Sequence, residues 1–232
     1  MPVMSRSNFV RRTHGTQGCG RTGRVRPHGG LHALLAFDIC AFGDLKRSQE
    51  DRIYLRSTMY TLVEQAFTAS GLPWEHTYQE DRGDGMLLAL PAGLPTALLV
   101  DPLVGELRLL LHNHNRRASE GSRLRLRMSL DAGHVTHDGH GLVGGAANKL
   151  HRALDAPEFK RELIASSADL GVIVSDFVFG EVVSGRLEAE FYRPVEVAVK
   201  ETNARAWACF PHGTWNPALP PVALVPRPVT TA

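Results

Sequence analysis

The sequence predicts an α+β fold, a ferredoxin-like sandwich in which helices pack on a mostly antiparallel sheet. Three observations support this prediction. Strand-like and helix-like segments alternate in the order β-α-β-β-α-β, with additions. Two of the strands are joined by a tight glycine turn, as in an antiparallel hairpin. A hydrophobic fraction of 43% and a charged fraction of 22% are those of a globular domain with a core.

A small-residue turn separates the first predicted strand from the first predicted helix. Residues 31–39 are a short apolar run with an acid near its end, which predicts a buried strand. Residues 47–70 have helical apolar spacing, and Gly71 and Pro73 close the helix.

A hairpin, a helix and a further strand follow. Residues 75–80 and 86–90 are predicted strands joined by the turn at 82–85. Residues 95–115 are predicted to form one helix. Strict alternation over 123–130 predicts a half-exposed strand, whose polar face carries Arg123, Arg125, Arg127 and Ser129.

The remaining elements continue the alternation. They are helices over 145–155 and 158–167 divided at Pro157, a strand over 171–175, a short helix over 176–183, and a hairpin over 192–200 and 206–210. The domain is therefore expected to span residues 31–210.

Composition sets the expectations for the tails and the compartment. Residues 1–30 are rich in Arg and Gly and nearly free of aliphatic side chains, so we expect a disordered tail. Residues 211–232 are proline-rich, which predicts an extended tail. The net charge of +2 gives no reason to expect nucleic-acid binding. Because no apolar run is long enough to cross a bilayer and no secretory signal is visible, we expect a cytoplasmic protein.

The first chemical motif lies at the end of the first strand. Asp38 is followed by the small-residue turn Ile39, Cys40, Ala41, Phe42 and Gly43. A carboxylate in this position can hold Mg²⁺, while the amides of the turn face phosphate groups. An aspartate before a turn is more often only a helix cap, so the motif alone is weak.

The second motif is an acid at the tip of the hairpin. Asp84 lies between Gly83 and Gly85, which allow the backbone to approach closely and the acid to project. Such a tripeptide is usually just a turn. Together, however, Asp38 and Asp84 lie on neighbouring strands and can hold two divalent metals about 4 Å apart.

The third motif is a polar helix face. Asn148 and Arg152 are four residues apart, so they lie on the same side of a helix. An amide and a guanidinium can orient a ribose and neutralise charge that develops on a phosphoryl group. On its own, this face is more often an ordinary surface.

Four segments in this order resemble the motifs of the class III nucleotidyl cyclases: FDICAFG (37–43), RGDG (82–85), LDAGHV (130–135) and GGAANKLHR (144–152). The resemblance implies two Mg²⁺ or Mn²⁺ ions held by Asp38, Asp84 and the Ile39 carbonyl. It implies that the amides of Cys40 to Gly43 hold the β- and γ-phosphates of a nucleoside triphosphate. It also implies that Asn148 orients the ribose and that Arg152 stabilises the charge that develops on the α-phosphate. Lys200 is a further candidate for contact with the triphosphate.

The resemblance also implies a head-to-tail homodimer with active sites at the interface. One subunit would supply the metal-binding acids and its partner would supply Asn148 and Arg152. The reaction would release a 3′,5′-cyclic nucleotide and pyrophosphate.

Two positions that select the base in this family are unusual here. They are Glu80 and Gly141, where adenylyl cyclases have Lys and Asp and guanylyl cyclases have Glu and Cys. An ionised Glu80 only accepts hydrogen bonds, which favours guanine or a pyrimidine over adenine. Some bacterial relatives make cyclic pyrimidine nucleotides in phage defence, and this sequence leaves that role open.

Three alternatives remain. The first is a catalytically degenerate cyclase-homology domain that binds a nucleotide and regulates a partner. The second is a relative of the diguanylate cyclases, although the chain lacks their hairpin motif. The third is a DNA-associated protein that uses the basic tail, which the small net charge disfavours.

Overall fold

The computed structural model describes residues 26–27 and 30–211. The two predicted tails lie almost entirely outside these residues. The described strands are β1 (Leu31–Ile39), β2 (Tyr78–Asp81), β3 (Gly85–Ala89), β4 (Leu126–His134), β5 (Thr136–His137), β6 (Leu142–Val143), β7 (Leu170–Ser175), β8 (Arg193–Val199) and β9 (Thr202–Cys209). The helices are α1 (Gln49–Ala69), α2 (Leu103–Asn115), α3 (Gly145–Leu154) and α4 (Pro157–Ala165). Helical turns lie at Trp74–His76, Thr96–Leu99, 176–183 and Leu187–Phe191.

Seven strands form one sheet in the order β2-β3-β1-β4-β7-β9-β8, and β5 pairs with β6 alone. All neighbours in the large sheet are antiparallel except β4 and β7, which are parallel. Helices α1 and α2 cover one face and α3 and α4 cover the other, each over its own buried core. The predicted mostly antiparallel α+β sandwich is confirmed.

Strand β1 lies near the middle of this sheet and is buried on both faces. Strands that are buried on both faces have nearly continuous apolar sequences, which is why residues 31–39 do not alternate between apolar and polar side chains. Leu34 and Ala36 point to the α3–α4 core, and Leu35 points to the α1–α2 core. Because side chains alternate along a strand, Asp38 lies on the same face as Ala36.

Helix α1 begins where a capping box fixes its first turn. The Ser48 hydroxyl accepts a hydrogen bond from the Asp51 amide at 3.1 Å, and the Asp51 carboxylate accepts one from the Ser48 amide at 2.9 Å. These two bonds satisfy amides that have no partner within the helix. The helix ends before Gly71, whose φ of +69° lies in the left-handed region.

The single helix predicted over 95–115 is wrong. A short turn at Thr96–Leu99 is followed by Pro102, and α2 begins at Leu103. Proline lacks an amide hydrogen and disfavours helical geometry in the residue before it, so the helical pattern is interrupted at Asp101.

The half-exposed strand predicted over 123–130 is also corrected. Strand β4 starts at Leu126, runs to His134 and lies between β1 and β7. Ser129 and Asp131, on its polar face, are buried because α3 packs against that face. Alternation predicts which residues share a face, but not what covers it.

Within residues 26–27 and 30–211, none of the helices combines the length and the apolar character needed to span a membrane.

Candidate active site

Asp38 and Asp84 meet at the edge where β1 and β3 pair. Asp38 lies opposite Gly85 in the antiparallel register. The Ile39 amide donates a hydrogen bond to the Asp84 carbonyl at 3.0 Å, so the hairpin tip is tied to the end of β1. The structure therefore brings the two predicted acids and Ile39 together.

Gly85 makes this close approach possible. A Cβ atom at this position would lie 2.0 Å from the Phe37 carbonyl oxygen and 3.1 Å from the Cα of Asp38. Gly83, at the other side of Asp84, has a φ of +80°, which disfavours any residue with a side chain. Both glycines are thus required by the backbone that presents Asp84.

Arg127 is the immediate partner of Asp38. Its Nε donates to the Asp38 Oδ1 atom at 2.7 Å, and both side chains are mostly buried. Burial raises the pKa of Asp38 to about 6, Arg127 opposes the rise, and the negative charge of Asp84 adds to it. Since Asp84 affects Asp38 electrostatically, the two carboxylates form one acidic site in which additional positive charge is favourable.

The donor set fits a hard divalent cation that keeps other ligands. Two carboxylates and a backbone carbonyl are oxygen donors, which Mg²⁺ and Mn²⁺ prefer. Within the described part of the chain, no group of three or more His, Cys, Asp or Glu side chains could hold a metal. The protein thus supplies only part of a coordination shell, as is usual where phosphate oxygens and water complete it.

The turn after β1 has side-chain donors on its carbonyls. Arg47 donates to the Cys40 carbonyl at 3.1 Å, and Arg52 donates to the Phe42 carbonyl at 3.3 Å. The Cys40 amide is used, since it donates to the Arg125 carbonyl at 2.9 Å.

Three amides of this turn remain available. Within residues 30–211, the amides of Ala41, Phe42 and Gly43 donate to no protein acceptor. Ala41 has a φ of +52°, and this left-handed residue turns consecutive amides toward the same side. The arrangement suits an anion such as a phosphate group.

The two predicted base-reading positions are adjacent. A Cβ atom on Gly141 would lie 3.2 Å from both carboxylate oxygens of Glu80. The Glu80 carboxylate accepts hydrogen bonds from the Tyr78 hydroxyl at 2.9 Å and the Leu142 amide at 3.4 Å, and it pairs with Arg82 at 2.9 Å. Gly141 leaves room for this carboxylate, which its neighbours hold in one orientation.

Asn148 and Arg152 lie on α3 as predicted, and Arg152 reaches the β8–β9 turn. Its Nη2 atom lies 3.2 Å from the Glu201 Oε1 atom, next to Lys200. The Nε atom of Arg152 is buried without a hydrogen-bond partner in the structure described. Asn148 is exposed in the first turn of the helix.

These residues fall into two groups. Asp38, Asp84 and the turn after β1 form one, and Arg152 with the β8–β9 turn forms the other. Among the described residues, no hydrogen bond or ion pair joins either acid to Asn148 or Arg152. Arg127 links the two groups indirectly, since it donates to Asp38 at 2.7 Å and to the carbonyl of Leu154, two residues beyond Arg152, at 3.1 Å.

Similarity to known proteins is found in the structure of this chain. No family model matches the sequence, and no curated protein matches it. The structure is similar to an adenylate/guanylate cyclase/hydrolase from Silicibacter pomeroyi, with a TM-score of 0.54 and 19% identity over 78% of this chain and 97% of that one. The fold is that of class III nucleotidyl cyclase domains.

Two further structures share this cyclase fold. One is the catalytic core of a rhodopsin-guanylyl cyclase with converted specificity, with a TM-score of 0.54, 16% identity, and coverage of 78% of this chain and 95% of that chain. The other is a bacterial light-regulated adenylyl cyclase, with a TM-score of 0.60, 13% identity, and coverage of 83% of this chain and 55% of that chain. At such identities the structural similarity shows the fold of this chain and does not show its activity.

Sequence reasoning missed the residues that act through neighbours. Arg127 belongs to a predicted polar strand face, but its bond to Asp38 spans 89 positions in the chain. Tyr78 and Arg82 hold Glu80, and Glu201 holds Arg152. The contacts of Glu80 with Tyr78 and Arg82 could have been predicted from the sequence, since side chains two residues apart in an extended chain lie on the same face.

Proposed function

We propose that this chain is a nucleotidyl cyclase that converts a nucleoside triphosphate into a 3′,5′-cyclic nucleotide and pyrophosphate. The observation that carries the proposal is the acidic pair beside the free amides of the turn after β1. The Ile39 amide, next to Asp38, donates to the Asp84 carbonyl, and three amides without a protein acceptor follow within a few residues. The cyclase fold supports the same conclusion.

In this proposal, Asp38, Asp84 and the Ile39 carbonyl hold two Mg²⁺ or Mn²⁺ ions. When bound, such ions supply positive charge that stabilises the attacking and leaving oxygens of an in-line displacement. The amides of Ala41, Phe42 and Gly43 bind the terminal phosphates by hydrogen bonds.

The other group of residues acts on the reacting end of the nucleotide. Asn148 orients the ribose so that its 3′-hydroxyl faces the α-phosphate. Arg152 donates to the α-phosphate oxygens, where negative charge accumulates as the new bond forms. Lys200, which precedes the Arg152 partner Glu201 in the chain, would contact the triphosphate.

The base would be guanine or a pyrimidine. The fixed carboxylate of Glu80 accepts hydrogen bonds, and the base edges of guanine, uracil and cytosine present N–H donors to such a group. Arg82 and Tyr78 support Glu80 in this orientation.

The enzyme would work as a head-to-tail homodimer. Among the described residues no hydrogen bond or ion pair joins the acids to Arg152, which is compatible with an arrangement in which a second copy places its α3 over the acids of the first. Each of the two symmetric interface sites would then contain residues of both subunits.

A direct assay tests the proposed reaction. Purified protein is incubated with ATP, GTP, CTP or UTP in the presence of Mn²⁺ or Mg²⁺, and the products are identified by mass. We expect a cyclic product from GTP, CTP or UTP in preference to ATP. No cyclic product from any of the four would support the degenerate nucleotide-binding module instead.

Substitution of the acids tests the mechanism. We expect Asp38→Asn and Asp84→Asn each to lower kcat by about a hundredfold or more, with a smaller effect on nucleotide binding. Asp101→Asn, an exposed acid outside the site, serves as the matched control and should leave kcat unchanged. Near-full activity of Asp38→Asn would contradict the mechanism.

A further inference from the structure

The segment between β7 and β8, residues 176–191, carries large apolar side chains on its outer surface. Phe177, Leu187 and Phe191 are exposed by 52%, 89% and 62%. Single exposed apolar residues are ordinary, but several in one short segment mark a surface on which another group can pack. We call these residues, with the acidic side chains between them, the outer surface of residues 176–191.

The inner side of the same segment is anchored on the domain. Val178 and Val183 are buried in the core beneath α1 and α2. The ring of Phe179 stacks on Trp207 of β9 with centroids 3.7 Å apart, and it contacts Tyr192, at the start of β8, at 6.1 Å. The two ends of the segment therefore meet, and the outer side chains are held in place by the fold beneath them.

Unpaired acids accompany the exposed apolar side chains. Among the described residues, the carboxylates of Glu181, Glu188 and Glu190 take part in no ion pair or hydrogen bond. The one cation in the segment, Arg186, lies 3.9 Å from Asp101, outside the segment. The outer surface of residues 176–191 is thus negatively charged, with no close cation to compensate the three glutamates.

The domain begins at the same end of the sheet. Leu31, the first residue of β1, pairs in register with His134, the last residue of β4. Strands β4 and β7 are parallel, and their register ends with Leu130 beside Val174. The segment after β7 therefore starts where β1 starts, two strands away, which corresponds to a lateral distance of about 10 Å.

The residues that precede the domain have the complementary composition. Residues 1–25 lie outside the described part of the chain, and their sequence contains no Asp or Glu. Phe9 and Val10 come directly before two of its arginines, so apolar and cationic side chains are adjacent there. Such a composition cannot bury a core of its own, so a stable location depends on another surface. The arginines are Arg6, Arg11, Arg12, Arg21 and Arg24.

We propose that residues 1–25 bind the outer surface of residues 176–191 in the same chain. The arginines pair with the three glutamates, and Phe9 packs on the exposed apolar side chains. Each exposed ion pair is weak by itself, but attachment in one chain gives the two partners an effective concentration of about 1 mM. The inference goes beyond the proposed function and does not require the chain to be an active cyclase.

Limited digestion of the full chain with trypsin tests the contact. Trypsin cleaves after arginine, so the bonds after Arg11, Arg12 and Arg21 report whether this part of the chain is covered. Mass spectrometry follows these bonds at low ionic strength, where attraction between charges is least screened. The variant Glu181→Gln/Glu188→Gln/Glu190→Gln removes the unpaired charges.

We expect these bonds to be cleaved at least about fivefold faster in the triple variant than in the parent chain, because cleavage follows the population that is uncovered. The difference should disappear at high salt. Phe177→Ala/Phe191→Ala keeps the charge and removes two exposed rings, and it should raise the rate at least about twofold. A parent-like rate in this second variant would contradict the apolar contact.

A matched variant controls for the change in net charge. Glu64→Gln/Glu75→Gln/Glu120→Gln removes three exposed glutamates elsewhere on the domain and should be cleaved within about twofold of the parent rate. Equal melting temperatures would show that each variant is folded. Tenfold dilution should leave the parent rate constant unchanged, since a contact within one chain does not depend on protein concentration.

Three results would overturn the proposal. The first is equal cleavage of the parent chain and Glu181→Gln/Glu188→Gln/Glu190→Gln. The second is an equally large acceleration in the matched control variant. The third is protection that is lost on dilution, which would place the contact between separate chains. None of these measurements depends on cyclic nucleotide formation, so failure here and failure of the proposed function are distinguishable.

Discussion

Among single residues, Glu201 occupies the guanidinium of Arg152, the residue proposed to bind the α-phosphate. The Glu201 carboxylate is exposed and contacts the Arg152 guanidinium at 3.2 Å. A hydrogen bond from its own backbone amide, together with the nearby Arg152, lowers the pKa of Glu201, so the carboxylate stays ionised at neutral pH. A nucleotide phosphate must compete with it for the same donors.

Replacing Glu201 should therefore improve substrate binding. We expect Glu201→Gln to lower KM for the nucleoside triphosphate by about two- to fivefold, the range of a single exposed ion pair. Glu196→Gln on the same strand pair is the control and should not change KM. Steady-state kinetics measure both, and an unchanged KM in Glu201→Gln would show that the pair does not compete with substrate.

Asp131 is a buried acid whose charge opposes folding. Burial raises its pKa, although the Ser175 hydroxyl and the Ala132 amide, which donates at 2.8 Å, partly offset the effect. The unfolded chain therefore ionises this group at lower pH than the folded chain does. Stability is lost as pH rises from the unfolded pKa through the folded pKa, and the cost persists above it.

The substitution Asp131→Asn removes this cost while keeping an oxygen for the Ala132 amide. We expect it to raise the melting temperature at pH 8, and the difference from the parent chain should shrink steadily toward pH 4. Thermal unfolding across this pH range provides the measurement. A difference that grows on acidification would have the wrong sign and would refute the argument.

At the scale of elements, the β2–β3 hairpin positions the second acid by direct backbone contact with β1. The contact depends on the missing side chain of Gly85, where a Cβ would meet the Phe37 carbonyl oxygen at 2.0 Å. A backbone atom cannot move aside as the end of a flexible side chain can. The hairpin must shift instead, and Asp84 shifts with it.

We predict that Gly85→Ala lowers the free energy of unfolding by about 2–3 kcal/mol, as overpacking against fixed backbone does. Cyclase activity should fall by more than the loss of folded protein explains, because Asp84 is displaced from Asp38. Gly185→Ala is the matched control, since nothing lies within 4 Å of its Cβ position and Gly185 is outside the candidate site. Denaturant unfolding that gives equal stabilities for the two variants would contradict this account.

At the scale of the whole molecule, the proposed head-to-tail homodimer would make activity a property of two chains. Variants that damage different groups should complement one another in a mixed dimer. Asp38→Asn alone and Arg152→Gln alone are expected to be inactive. In a mixed dimer, one of the two interface sites contains neither substitution.

An equal mixture of these two variants should recover about a quarter of the parent activity, because half of the dimers are mixed and each has one intact site. A mixture of Asp38→Asn with Asp84→Asn damages the same group twice and should recover nothing. The assay is cyclic nucleotide formation after the subunits are allowed to exchange. Recovery in both mixtures, or in neither, would argue against a shared site.

Local sequence patterns predict much of the fold of this protein. The apolar run of β1, the periodicity of α1 and the glycines of the hairpin specify elements through short-range sterics and alternation. The cyclase-like motifs lie on these predicted elements. The sequence therefore also predicts Asp38 at a strand end, Asp84 at a hairpin tip and Asn148 on a helix.

Only the tertiary structure decided which distant side chains meet. The bond between Arg127 and Asp38 and the pair of Arg152 with Glu201 each join parts of the chain that are remote in sequence. The covering of β4 by α3 likewise turned a predicted solvent face into a buried one. Sequence periodicity fixes how side chains are arranged within an element, whereas contacts between elements depend on how the hydrophobic faces of all elements pack at once.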